Sequence, residues 1–426
     1  MDNGIILPAD CLGFYSIPLD DGCILTEAWL NEHSDFRRPV RPYLYVTIFK
    51  TGFDHGILVY KVIVERDTPA QLVYMIVKDE KLLVTCNAGT NESFLSRHAY
   101  FALHRGMNYH HQNDFSRYNW FDFFEKGKKK SKYLDVICDR QGLDINLKKK
   151  YHNFWRRGNK LFCFKEGEEL SERQLPVEPY PNKPDPVDNE VLGYFITAPI
   201  WGNYCEHIPI LVPYIGQLNK GGKDIRTYTR MLGPDDVDGP LWTERQWVLN
   251  IICFHMADIA WLAEQKVWCN KISSEAEEIA SRRAQIFTLW HEVWPYLATM
   301  LFIKFYGSTD RGLLRGKPNK RNVDRAVLSD QSPKICFKLR DCKQYYELLM
   351  FVKVGKRVFT PSKFSGIFFV RSDNEPDKYY LWDSIQDVRL AAFFGIYNYG
   401  FLVLRCHFNG VFASFIERLS VQYEFL

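Results

Sequence analysis

Three early stretches place apolar residues at strand-like spacing. Residues 43–50 (YLYVTIFK), 57–65 (ILVYKVIVE) and 71–86 (QLVYMIVKDEKLLVTC) are rich in β-branched and aromatic types, with polar breakers between them. That pattern predicts strands, and Lys78-Asp79-Glu80-Lys81 inside the third predicts a hairpin turn. A short helix over about 93–105 follows, with Asn91 and Ser93 as candidate caps. Residues 107–133 become polar, aromatic and then basic, and read as a long loop. Residues 134–165 read as short strands around a basic stretch.

Pro176, Pro179, Pro181, Pro184 and Pro186 then fall close together beside Asp185, Asp188 and Glu190. Proline fixes φ and removes a donor, so 171–190 is expected to be a linker or a surface strap. Gly and Pro scattered through 191–240 make that stretch read as irregular. Two helices are expected next. Thr243 and Gln246 form a T-x-x-Q capping box before a helix reaching about Val267. Its residues Trp247, Ile251, Phe254, Ala257, Asp258, Trp261 and Leu262 follow the 3–4 spacing of a single buried stripe. Ser274 and Glu277 form a second box, and the helix they open carries Ile279, Ala280, Arg283, Ile286, Phe287 and Trp290 up to a kink at Pro295. The pair reads as an αα-hairpin connected at 268–273. Residues 307–333 read as a second basic loop. Strand-like runs return at KICFKL, RVFT, GIFFV, YYLW and FLVLRCHF, with helices expected at about 343–353 and 383–394.

The fold class this gives is α+β. A mostly antiparallel β module (1–170) is followed by the Pro-rich segment (171–190). A mainly helical region (191–333) and a mixed strand and helix module (334–426) complete the chain. At 426 residues it is long enough for two or three domains.

Charge changes the picture more than composition does. The net charge is only +4, but Lys126 to Lys160 carries +9 and Arg311 to Arg325 carries +5, which leaves −10 for the rest. Such asymmetry points to a polyanion, RNA or DNA, or to an acidic protein surface. Lys126, Lys128, Lys129, Lys130, Lys132, Lys148, Lys149, Lys150, Arg156, Arg157 and Lys160 are the candidate contacts in the first region. Aromatics are interleaved with them: Tyr118, Trp120, Phe121, Phe123, Phe124, Tyr133, Tyr151, Phe154 and Trp155. Exposed rings would stack on unpaired bases, Trp155 among them; the alternative is a charged loop lying over a buried aromatic cluster. Arg311, Arg315, Lys317, Lys320 and Arg321 form the second basic set.

Catalytic motifs fail one by one. Cys205-x-His207 and Cys253-x-His255 suggest zinc, but residues two apart on a helix point about 200° apart and cannot chelate one ion. His291-Glu292 begins a zinc-protease pattern whose second histidine is replaced by Pro295. Gly307 to Gly312 has the spacing of a phosphate loop, with Leu313 where lysine belongs. Glu264-x-Lys266 with Asp235 or Asp236 has the residue types of a magnesium nuclease but sits at a helix end. Cys406-His407 reads as alternating faces of a strand. The densest general-base candidates are His98, His104, His110 and His111, followed by Asp114. No cofactor or metal is implied.

Eleven scattered cysteines without a C-x-x-C pair point to a reducing, cytoplasmic setting. The first residues lack a signal-peptide core. The longest weakly polar run, 391–404, is shorter than the roughly 20 residues of a membrane helix. Two functions fit. One is a non-catalytic binding or structural protein of a viral or ribonucleoprotein assembly, with possible homo- or hetero-oligomers, that contacts its partner through basic loops. The other is a nuclease or hydrolase using His104, His110, His111 and Asp114 within 98–114.

Overall fold

The computed structural model describes residues 8–20, 23–34, 45–64, 69–139, 142–156, 159–164, 190–199, 208–236, 243–268, 274–308, 316–362 and 367–426. The expected strap, the Cys205–His207 pair, Arg157, Arg311, Arg315 and the connection between the two long helices lie outside them, apart from the strap's last residue and that connection's first.

Alternation sets the first sheet. In Ile57–Val64 the residues Leu58, Tyr60, Val62 and Val64 are buried while Lys61 points to solvent. A strand with one apolar face must pack that face on something. Here five antiparallel strands run in the order Tyr15–Pro18, Lys81–Cys86, Gln71–Lys78, Ile57–Val64, Val46–Asp54. The expected hairpin turn is present, with Asp79 and Glu80 both left-handed at φ 49° and 61°. That geometry matches the twist of the flanking strands. Helix Arg97–Arg105 covers the sheet with Ala99, Tyr100, Ala102 and Leu103 buried. Its cap is Ser96, whose hydroxyl accepts from the Ala99 amide, rather than Asn91 or Ser93. Asn91 instead accepts from the Ser93 amide in a local turn.

The chain groups into two units. One comprises Met1–Leu161, Arg340–Glu347 and Phe401–Glu417; the other comprises Phe162–Leu339, Leu348–Gly400 and Arg418–Leu426. The C-terminal stretch is thus shared between the two.

Within the second unit, the described residues of 191–240 are not irregular. Strands Glu190–Pro199, Ile210–Leu218 and Ile225–Met231 form an antiparallel run, and Ile303–Ser308 pairs parallel to the first of them. The scattered Gly and Pro concealed these strands, yet Gly193 and Gly216 are required by close packing inside them. Gly193 lies where a Cβ would come within 2.4 Å of Tyr214 Cζ and 2.7 Å of the Phe302 carbonyl oxygen. That carbonyl already accepts from the Tyr194 amide and the Tyr214 hydroxyl. Backbone cannot step aside as a side chain can. Gly193→Ala is therefore expected to destabilise the protein by about 1–3 kcal/mol. The measurement is a lower urea midpoint with an unchanged slope; an unchanged midpoint would contradict the packing described.

The capping box is reciprocal. The Thr243 amide donates to Gln246 Oε1 at 3.0 Å, and the Gln246 amide donates to Thr243 Oγ1 at 3.3 Å. It opens helix Glu244–Trp268, which packs against Ile210–Leu218 and against helix Ser274–Leu297. The predicted buried stripe of the first helix is turned the other way. Leu249, Cys253, Met256 and Ala260 are buried, whereas Trp247, Ile251, Trp261 and Leu262 are exposed. The helix is apolar on both sides, so periodicity alone could not choose the inner one. In the second helix Ile286, Phe287 and Trp290 of the expected stripe are buried, together with Val293 and Trp294, whereas Ala280 is exposed. That helix runs only two residues beyond Pro295. The indoles of Trp290 and Trp294 donate to the Pro209 and Ser329 carbonyls.

Residues 343–353, expected as a helix, belong to strand Tyr345–Val354, where Leu348, Met350, Val352 and Val354 are buried at every second position. Glu, Leu and Met favour helices weakly, and a period-two apolar face outweighs that preference. The expected helix near 383–394 is Ile385–Ile396, capped by Ser384. Among the described residues no helix is long and apolar enough to cross a membrane.

Candidate polyanion interface

The segment 107–133 is ordered by its own contacts. Gln112–Asp114 pairs with Ile24–Thr26, and two 3-10 turns, Ser116–Tyr118 and Phe121–Phe123, follow. The interleaved aromatics are mostly core. Tyr118, Trp120, Phe123, Phe124, Tyr133, Phe154 and Trp155 are all buried. Phe123, Tyr133, Tyr151, Phe154 and Tyr345 meet largely edge-to-face at 5.0–6.4 Å between centroids. Trp155, 3% exposed, donates its indole N–H to the Asn159 carbonyl, so it offers no face to a base. That corrects its assignment as a stacking residue. Its sequence context, between charged residues, hides its burial.

This aromatic cluster holds up the lysines. The loop 125–132 is pinned at both ends: the Ser131 hydroxyl donates to the Phe123 carbonyl at 2.6 Å, and the His55 amide donates to the Lys129 carbonyl at 3.2 Å. Lys148 fastens the second basic segment to the first. Its amide donates to the Tyr133 carbonyl, and its ammonium donates to the Ser131 and Lys132 carbonyls. Lys149 and Lys150 follow in the turn Lys149–Tyr151, which places both basic segments beside one another.

The cations divide into two groups. Lys129 pairs with Asp54 at 3.2 Å, and Lys132 pairs with Glu125 at 3.2 Å. The hydrogen bond and charge of Lys132 hold the Glu125 carboxyl below its usual range, so that pair stays ionised at neutral pH. Arg156 lies 4.4 Å over the Trp120 ring. These groups, with Lys148, build the surface. Lys126, Lys128, Lys130, Lys149, Lys150 and Lys160 are exposed and form no ion pair with a described residue; Lys150 stands 5.5 Å over Tyr151. They are the charges left for a partner. In the second unit Lys317, Lys320 and Arg321 are exposed as well.

A cavity of about 320 Å³ opens where this loop meets the first sheet, its apolar lining of Ile57, Val59, Tyr74, Phe121 and Phe124 joined by Asp54, Glu125 and Lys126. Gly56, at φ 76°, allows the turn to approach Phe121 so closely that a Cβ there would sit 2.8 Å from the Phe121 Cα.

The histidine-rich segment splits. His104 Nε2 lies 3.5 Å from Glu27 Oε1, and His111 Nδ1 lies 2.5 Å from Glu27 Oε2. The Glu27 amide also donates to the His111 carbonyl. Sequence reasoning missed Glu27; its only signal was an acid one residue after Thr26, which caps helix Glu27–Glu32. His110 stacks on Tyr109, and Asp114 accepts from the Ser116 amide. Neither of these two joins the carboxylate. Among the described residues no group of three His, Cys, Asp or Glu side chains could hold a metal. Cys253 is buried while His255 is exposed, so they face opposite ways. The His291 ring lies 2.9 Å from the Trp382 carbonyl.

Cys406-His407 is not on a strand. It follows Gly400–Leu404 in a single helical turn, and His407 Nε2 meets Asp122 Oδ2 at 2.7 Å inside the first unit.

No family model, curated protein or solved structure matches this chain.

Proposed function

We propose that this protein is a non-catalytic binding component of a macromolecular assembly, and that it holds a single-stranded polyanion, RNA or DNA, along Lys126, Lys128, Lys130, Lys149, Lys150 and Lys160. The observation that carries this reading is the division of the cations. Acidic and carbonyl partners engage one set, while six exposed lysines form no ion pair with a described residue. An ordinary charged surface intersperses both signs and pairs them across neighbours; here Glu125 and Asp54 are engaged by Lys132 and Lys129, and the other lysines are in excess over them. With Trp155 and its neighbours buried, affinity rests on phosphate contacts, which are independent of sequence and sensitive to salt. The cavity beside Lys126 offers room for one unpaired base, which favours single strands over duplex.

Replacing Lys126, Lys128 and Lys130 together by Ala is expected to weaken binding of a short single strand about tenfold or more at low salt. It should also reduce the log-log salt slope by about 2, since each phosphate contact on a single strand contributes about 0.7. Fluorescence anisotropy at several salt concentrations measures both. An unchanged slope would remove these lysines from the interface. A wild-type protein that ignores oligonucleotides but binds an acidic peptide would move the same surface to a protein partner.

Glu27 between His104 and His111 supports a second reading, a hydrolase. Its test is whether the oligonucleotide is recovered intact.

A further inference from the structure

Helix Glu244–Trp268 has two apolar sides, and among the described residues only the inner one is covered. On the outer side Trp247, Val248, Ile251, Trp261 and Leu262 are 42–52% exposed. A single exposed apolar residue is ordinary, but a contiguous stripe marks an interaction site. The stripe has a regular seam. Val248, Ile251, His255, Asp258 and Leu262 are all exposed and follow one another at 3-4-3-4 spacing, the period at which paired helices meet. Trp247 and Trp261 flank the seam at its two ends.

We infer that this face is the contact between two copies of the chain, with the helices antiparallel about a two-fold axis between Met256 and Ala257. Its four inner positions, Ile251, His255, Asp258 and Leu262, read the same from either end: one apolar residue, then a polar one, then the other polar one, then apolar. In this register His255 of one copy lies opposite Asp258 of the other, and Ile251 lies opposite Leu262. The two polar interruptions therefore satisfy each other, which is the self-complementarity a two-fold interface requires. The five apolar side chains leave roughly 500 Å² open on each copy, at the large end for a monomer's biggest patch. Two copies together bury about 1,000 Å², the size at which specific interfaces begin. The inference concerns the second unit, whereas the lysines belong to the first, and it does not depend on the polyanion reading.

Sedimentation of the full chain across the micromolar range tests it, with Trp261→Glu, Asp258→Lys and the double variant His255→Asp with Asp258→Lys alongside. The wild type is expected to dimerise with rising concentration. Trp261→Glu should weaken the dimer at least about tenfold, as loss of an aromatic anchor does. Asp258→Lys should weaken it too, and the double variant should restore it, because exchanging the charges on one chain exchanges them on both. Should Trp261→Glu fail to fold, the exposed polar pair carries the test. A wild type that stays monomeric throughout would overturn the inference. So would a dimer indifferent to both single variants, or a monomer that floats with lipid vesicles.

Discussion

Asp122→Asn should lower stability at pH 6 by on the order of 2–3 kcal/mol and leave it nearly unchanged at pH 9.5. His407 is buried, and burial by itself would lower its affinity for a proton. The Asp122 carboxylate at 2.7 Å and the Cys406 side chain outweigh that and hold the imidazole up at about 9, against 6.5 in the unfolded chain. The rings packed on it, Phe123 and Trp155, bring no charge. A group that binds its proton more tightly when folded adds stability that is fully present below about pH 6.5 and is lost as pH rises through about 9. The wild type should therefore weaken between those values, and Asp122→Asn should flatten the profile. Urea midpoints at pH 6, 7.5 and 9.5 decide it. An identical pH profile in the variant would show that this pair does not couple the Arg405–His407 turn to the Phe121–Phe123 turn.

The second large effect concerns the aromatic cluster. Tyr133→Ala should cost about 3–5 kcal/mol, the usual range for emptying a buried aromatic site. Tyr133 is buried, and its ring meets Phe123, Tyr151, Phe154 and Tyr345. Its carbonyl accepts from Lys148, so the lysine-bearing segments should loosen with it. Tyr133→Phe keeps the packing and removes only a hydroxyl that meets Gln344 Oε1 at 3.4 Å and the Lys132 ammonium, which keeps its ion pair with Glu125. It should therefore retain both stability and polyanion binding. Denaturant melts paired with oligonucleotide titrations separate the two roles. If Tyr133→Phe stays folded yet loses binding, the ring system contacts the ligand directly and the scaffold account fails.

The strands with one apolar face were legible because alternation leaves a mark that sequence alone displays. Residues 57–64 and 71–86 are of this kind. The αα-hairpin was legible at its start, where Thr243 and Gln246 cap the backbone within four residues. Misreadings came where two local signals competed. Leu348, Leu349 and Met350 are good helix formers in a strand, and the helix Glu244–Trp268 offers two apolar sides of which the sequence favoured the wrong one. Glycines such as Gly193 looked like breaks because the aromatic ring that requires them, Tyr214, is 21 positions away.

The site was half legible for the same reason. A run of lysines is visible in any sequence, but which of them are neutralised is decided by residues far along the chain, as Asp54 does for Lys129. Whether an aromatic is a platform or a pillar depends equally on distant partners; Phe154 packs against Tyr345. The pairings of Glu27 with His104 and His111, and of Asp122 with His407, join positions 77, 84 and 285 residues apart. No local motif records such pairs.

The measurement that bears most directly on the central claim is a titration of the intact protein with a short single-stranded RNA at 50 and 200 mM salt, with magnesium present and the oligonucleotide analysed afterwards. Six phosphate contacts predict a loss of about two to three decades in affinity between those concentrations, with the RNA recovered whole. Binding that is absent at 50 mM, or that ignores salt, would contradict the claim, and cleaved RNA would move the function to Glu27, His104 and His111.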